Sequence, residues 1–160
     1  MRLERLGEFR VITLRETPPE LWTYQADTPE KVAEYYKQNI KTDLRFNSEV
    51  ESFYVIHLST RRMVIGHTLV ATGTLDTILV HPREVFRPAV VANSAAIILL
   101  HNHPSGDPSP SEADIKVTRD LIRAGQLMKI EVLDHVIMGC ATAERSKDYS
   151  SLRELGYFYS

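Results

Sequence analysis

The run His101-Asn102-His103-Pro104, followed by Ser111 and Asp114, gathers two imidazoles, a hydroxyl and a carboxylate within fourteen residues. Imidazole nitrogen and carboxylate oxygen are donors that a divalent metal ion takes. Two imidazoles and one carboxylate leave a fourth tetrahedral position open, the coordination of a catalytic rather than a structural zinc. Water admitted there has its pKa lowered to about 7, so hydroxide becomes available at neutral pH. A further carboxylate must take and deliver the proton, because none of the three ligands can do both jobs. Ser111 could donate a hydrogen bond to the oxyanion formed when water attacks a carbonyl. Capping a helix is an equally good reading of Ser111, and the two are compatible.

These side chains converge only if local structure aims them inward. Ala95-Ala96-Ile97-Ile98-Leu99-Leu100 is a short apolar run of the buried-strand type. Alternate side chains share a strand face, so His101 and His103 point the same way. Pro104-Ser105-Gly106-Asp107-Pro108-Ser109-Pro110 cannot continue that strand and predicts a tight loop. Ser111 then stands where a helix N-cap belongs, with Glu112 and Asp114 in the first turn. At 100° per residue, Ile115, Val117, Thr118, Leu121, Ile122 and Ala124 gather on one side of that helix. Asp114 falls near the middle of the same apolar side. An ionised carboxylate aimed into a core is costly unless it is paired or binds a cation. Taken singly, Asp114 reads as support for a helix N-terminus and the histidines as partners of nearby backbone. Taken together, they predict a metal site.

His101-x-His103-Pro104, six residues, Ser111, two residues and Asp114 is similar to the motif of the JAB/MPN metalloprotease domain, often called JAMM. The longer string His101-Asn102-His103-Pro104-Ser105-Gly106, with Pro110-Ser111 and Asp114, resembles the bacterial RadC branch of that family. His81-Pro82-Arg83-Glu84-Val85-Phe86-Arg87, Gly73-Thr74-Leu75 and Leu133-Asp134-His135-Val136-Ile137 agree with the same branch. The resemblance is close from Glu51 to Gly139 and looser from about residue 30 to the C-terminus.

The resemblance implies a zinc-dependent hydrolase that cuts an amide, either a peptide or an isopeptide bond. One zinc ion per chain would be held by His101, His103 and Asp114, with Ser111 steadying the tetrahedral intermediate. The family's catalytic glutamate lies on an upstream strand, which assigns it to Glu51, at the head of Glu51-Ser52-Phe53-Tyr54-Val55-Ile56-His57-Leu58. Glu49 would share the strand face if the strand reached that far, so a shift of register exchanges the two. Glu84 falls instead in a helix start after Pro82. The pair Asp134-His135 recurs in this branch and could orient a ligand imidazole from behind. A core histidine satisfied by its neighbours is the competing reading.

Global composition is compatible with this picture without producing it. The chain has 160 residues, 43% hydrophobic and 25% charged, which suits one domain with its own core. A formal charge of -2 gives no electrostatic case for nucleic acid as a partner, and the protein or peptide substrate is what the resemblance implies. The start of the chain lacks a signal-peptide pattern, no run approaches membrane-spanning length, and Cys140 is the single cysteine. A cytoplasmic protein with no membrane partner is therefore expected. Oligomeric state is unreadable, although Trp22-Thr23-Tyr24 and Tyr157-Phe158-Tyr159 could be interface or core.

Three rival functions stay open. A DNA-associated, repair or nuclease-type protein would suit the naming of the RadC branch, and the letters His-Asn-His invite comparison with HNH endonucleases, although those spread the triad over a ββα unit. Two histidines and one carboxylate also describe the facial triad of non-haem iron oxygenases. A non-catalytic interaction module is the third, although modules of that kind have generally lost the ligands. Bacterial relatives commonly carry a helix-hairpin-helix DNA-binding region ahead of the catalytic part, and residues 1–45 contain no convincing Gly-centred hairpin.

Domain organisation is read as an N-terminal extension, residues 1–45, with one short helix, and a catalytic domain over residues 46–160. A short strand is expected over Phe9–Leu14, and a helix from Thr28-Pro29 through Ile40. Strands are expected near Phe53–Leu58, Met63–Ala71 and Asp76–Val80, then a helix from Pro82 toward Asn93 that Pro88 should distort or interrupt. The ligand strand, the Ser111 helix to about Gly125 and a strand near Ile130–Met138 follow. That order predicts an α/β fold with a mixed sheet flanked by helices. The family resemblance implies the same three-layer JAB/MPN-like core, related to the cytidine-deaminase architecture.

Overall fold

Five strands, β1 (Ser52–Leu58), β2 (Val64–Thr72), β3 (Ala96–Asn102), β4 (Glu131–Met138) and β5 (Tyr149–Ser151), form one sheet in the computed structural model. Residues 7, 10–12, 14–73 and 80–159 are described. The strand order is β2-β1-β3-β4-β5, with β3 and β4 parallel and the other neighbours antiparallel. A parallel pair needs a crossover, and α3 (Glu112–Met128) supplies it between β3 and β4. The expected mixed α/β sheet with flanking helices is the observed architecture.

β1 and β3 are buried along their whole length, so both faces must be covered. Tyr54, Ile56, Leu58, Ile98 and Leu100 face α1 (Pro29–Tyr35) and its Val32, Ala33 and Tyr35. Phe53, Val55, Ile97 and Leu99 face α2 (Pro82–Val91) and α3 through Val85, Phe86, Ala89 and Leu121. Helix, sheet and helices make three layers. Tyr24 and Phe158 pack onto the two cores, whereas Trp22 and Tyr159 are exposed.

Most boundaries follow the expected local chemistry. Thr28 caps α1 by accepting the Lys31 N–H, with Pro29 in the first turn, and the helix runs on as a π-helical turn over Tyr36–Ile40. His81 caps α2 by accepting the Arg83 N–H through Nδ1. Four expectations are corrected. Pro88 lies inside α2 without interrupting it. Helix α3 passes Gly125 to end at Met128, because Gly125 serves close approach: a Cβ there would lie 2.5 Å from the Ile130 carbonyl. The described residues of the expected strand at 9–14 (Arg10, Val11, Ile12 and Leu14) are not in a strand. Instead the Arg15 and Thr17 side chains donate to the Ile65 carbonyl on the outer strand β2. Finally, β5 and a 3-10 turn at Pro19–Thr23 were not anticipated. The strand expected near Asp76–Val80 lies, except for Val80, outside the described residues.

Candidate metal centre

Three segments meet at one end of β1 and β3, one of them fifty residues before the others. Phe53 lies opposite His101 in the antiparallel register, and continuing that register sets Glu51 beside His103. α3 brings Asp114 up from the helical layer on the same face. His101 Nε2 lies 3.2 Å from Glu51 Oε1, 3.3 Å from Asp114 Oδ1 and 3.0 Å from His103 Nε2. His103 Nε2 lies 3.2 Å from Asp114 Oδ2 and 3.7 Å from Glu51 Oε1. One ligand atom from each of the four residues falls within 4.8 Å of all the others.

The His101, His103 and Asp114 side chains and the backbone around Glu51 are held from behind. Ser111 and Asp114 form a reciprocal capping box: Ser111 Oγ accepts the Asp114 N–H at 3.1 Å, and Asp114 Oδ2 accepts the Ser111 N–H at 2.8 Å. That leaves Oδ1 directed at His101. His103 Nδ1 lies 2.7 Å from the Asp107 carbonyl, which can only accept, so Nδ1 carries a hydrogen and Nε2 is the nitrogen that could ligate a metal. The Gly106-Asp107 turn is pinned in turn, because the Cys140 N–H (2.7 Å) and Arg145 Nη2 (3.0 Å) both donate to the Gly106 carbonyl. Asn102 holds the Glu51 backbone, accepting the Ser52 N–H through Oδ1 at 2.9 Å and donating to the Val50 carbonyl at 3.0 Å. His101 Nδ1 lies 2.7 Å from Nε2 of His135, whose Nδ1 lies 2.6 Å from Thr118 Oγ1.

The donor set and its electrostatics fit a cation. Asp114 is 1% exposed, yet its Oδ1 has no hydrogen-bond partner among the described residues, although His101 Nε2 lies 3.3 Å away. A buried carboxylate oxygen left this way is costly unless a positive charge meets it. Burial works against the charged form of Asp114, but the neighbouring His101 and His103 imidazoles outweigh it and hold the carboxyl well below the usual range. Burial likewise opposes a positive His103, and here Asp114, the Asp107 carbonyl and Glu51 prevail and raise its pKa. The two shifts are the two sides of one attraction between imidazole and carboxylate where the four ligand atoms meet. Glu51, His101, His103 and Asp114 could therefore hold a metal ion.

The structure thus brings together Glu51, His101, His103 and Asp114. Glu49 is not among them: it lies in an exposed turn where its N–H bonds Asn47 Oδ1. Glu84 is exposed in the first turn of α2. Ser111 caps α3 beside the cluster. His135 reaches His101, but Asp134 points to the other side of the sheet, where it accepts from Ser151 Oγ and the Arg153 and His135 N–H groups. Sequence reading missed Asn102, Thr118 and Arg145 as supports. An amide at the end of an apolar strand and a threonine one turn after Asp114 were the available signals.

Comparison with known proteins points the same way. The model of the RadC-like JAB domain matches residues 26–157. A UPF0758 protein of Desulfitobacterium hafniense is 54% identical over 106 residues, covering 66% of this chain and 44% of the relative. A UPF0758 protein of Halalkalibacterium halodurans is 42% identical over 141 residues, covering 88% of this chain and 56% of the relative. One from Bacillus velezensis is 44% identical over 130 residues, with coverage of 81% and 52%. The chain spans about half the length of the curated relatives it matches.

Proposed function

The chain belongs to the RadC-like JAB domain family, and from that premise we propose that it is a zinc-dependent hydrolase cutting a peptide or isopeptide bond. The observation that carries the reading is the convergence of Glu51, His101, His103 and Asp114 around a buried carboxylate oxygen that has no hydrogen-bond partner among the described residues. His101, His103 and Asp114 would hold the ion. When bound, a zinc ion supplies Lewis-acid activation of water and of a carbonyl group. Glu51 is the group in reach of both imidazole Nε2 atoms with its side chain still 12% exposed, so it can exchange protons with a substrate entering from solvent. It takes the proton from the attacking water and returns it to the leaving amine. Ser111 Oγ accepts from the Asp114 N–H and so keeps its own proton to donate to the oxyanion.

An iron oxygenase would use the two histidines and Asp114 but would leave Glu51 and Ser111 without a task. The hydrolase reading is tested by incubating zinc-loaded protein with peptide and isopeptide-linked substrates. Cleavage should vanish with a chelator, return with zinc, and fall by about 10²–10⁴-fold in Glu51→Gln. Cleavage that survives chelation, or that persists in Glu51→Gln, contradicts the proposal.

A further inference from the structure

We propose that Thr118, acting through His135, sets the tautomer of His101 so that its Nε2 stays bare for a metal ion; both are positioning residues. The inference rests on the metal-binding part of the reading above and is independent of hydrolysis.

The direction of every hydrogen bond follows from one fixed end. Thr118 Oγ1 lies 2.6 Å from the Asp114 carbonyl one turn earlier in α3. Two oxygens at that distance need a proton between them, and only the hydroxyl has one. With its single hydrogen committed there, Thr118 Oγ1 can only accept from His135 Nδ1, 2.6 Å away. His135 therefore carries its hydrogen on Nδ1 and offers a lone pair at Nε2. That lone pair, 2.7 Å from His101 Nδ1, requires the hydrogen of His101 to be on Nδ1. His101 Nε2 is thereby left without one, facing Asp114, His103 and Glu51.

The relay is sealed from solvent, so water cannot rewrite it. His101, Thr118 and His135 are each 0% exposed, and Phe53 stacks on His101 at 5.9 Å while meeting His135 edge-on at 5.5 Å. An imidazolium at His135 would bury a full charge with no carboxylate in hydrogen-bonding contact among the described residues, which is costly. Asp114 consequently serves at both ends: its carbonyl anchors the relay through Thr118, and its carboxylate faces the nitrogen that the relay leaves bare. Metal-binding histidines characteristically need such a partner on the second nitrogen. Reversing the chain would move the His101 hydrogen to Nε2 and block the site.

Thr118→Val keeps the shape of the side chain and removes the acceptor. His135 Nδ1–H then has no partner, and the opposite tautomer, donating from Nε2 to His101 Nδ1, becomes the better one. Two measurements decide the matter. In metal-free protein, long-range nitrogen–proton correlation spectra should show both His135 and His101 carrying hydrogen on Nδ1, and His135 moving to Nε2–H in Thr118→Val. Zinc binding should weaken by about 10–100-fold in Thr118→Val and return in Thr118→Ser. A wild-type His135 with hydrogen on Nε2, or a folded Thr118→Val that binds zinc like wild type, overturns the proposal. Should Thr118→Val fail to fold, the wild-type tautomers and zinc affinity in Thr118→Ser still decide it. A wild type that shows the expected tautomers yet takes up no zinc would sink the metal reading and leave the relay standing.

Discussion

Asn102 Oδ1 accepts the Ser52 N–H at 2.9 Å, taking the place of a backbone carbonyl at the point where β3 ends. The same carboxamide donates to the Val50 carbonyl, so both neighbours of Glu51 hang from one side chain. A primary amide offers the donor and acceptor of a peptide group. It therefore prolongs the β1–β3 ladder while the main chain turns away to carry His103 into the cluster. The Glu51 carbonyl is held as well, by the Gly73 N–H at 2.8 Å.

Asn102→Ala should leave the buried Ser52 N–H unpaired at a cost of about 1–3 kcal/mol, and free the half-buried Val50 carbonyl as well. The ligand residues keep their own supports, so zinc stoichiometry should be unchanged while hydrolysis falls by about tenfold or more. If Asn102 acts through Glu51, the loss should disappear in a Glu51→Gln background. Steady-state rates and zinc content of the two single variants and the double variant check this; additive losses would place Asn102 outside the Glu51 pathway.

Gly139→Ala tests the turn behind His103. A Cβ at residue 139 would clash with the Gly106 carbonyl and come within 2.8 Å of Pro108 Cδ. The turn would have to shift, taking with it the Asp107 carbonyl that orients His103. Overpacking of this kind typically costs about 1–3 kcal/mol, and zinc affinity should weaken alongside it. Denaturant midpoints and zinc titrations of the variant measure both effects.

His57 makes stability pH-dependent at the far end of β1. It is buried between Thr68 Oγ1 at 2.8 Å and Ser94 Oγ at 3.1 Å. Burial, with a smaller push from His67, lowers its pKa from the ordinary 6.5 to about 4. The unfolded chain then binds more protons than the folded one between those values. The contribution is complete above about pH 6.5 and is lost as pH falls toward 4, by about 3 kcal/mol in all. Between pH 7 and pH 5, urea unfolding should show a loss of stability about 2 kcal/mol larger in wild type than in His57→Gln. Equal drops in the two proteins would assign the pH dependence to other groups.

What the sequence made legible was local. Strand alternation paired His101 with His103, and capping chemistry located Ser111. Helical periodicity turned Asp114 inward, the one acidic residue on an apolar face. Glu51 was legible only through family resemblance, and the choice against Glu49 was not, because it depends on Asn47 turning the chain just before β1. Asn102 reaches back fifty residues to Ser52, and His135 meets Thr118 only after the β3–α3–β4 crossover closes, so neither support leaves a local pattern. Gly125 carries the signature of a helix end, yet the approach of Ile130 is what demands glycine there.

The account stands on four side chains closing around one divalent ion. Zinc content per chain, measured after metal removal and reloading in wild type, Glu51→Gln, His103→Ala and Asp114→Ala, tests it most directly. One zinc per chain is expected in wild type and in Glu51→Gln, and none in the two ligand variants. Zinc held at full occupancy by both His103→Ala and Asp114→Ala, or no zinc in wild type, would contradict the assignment.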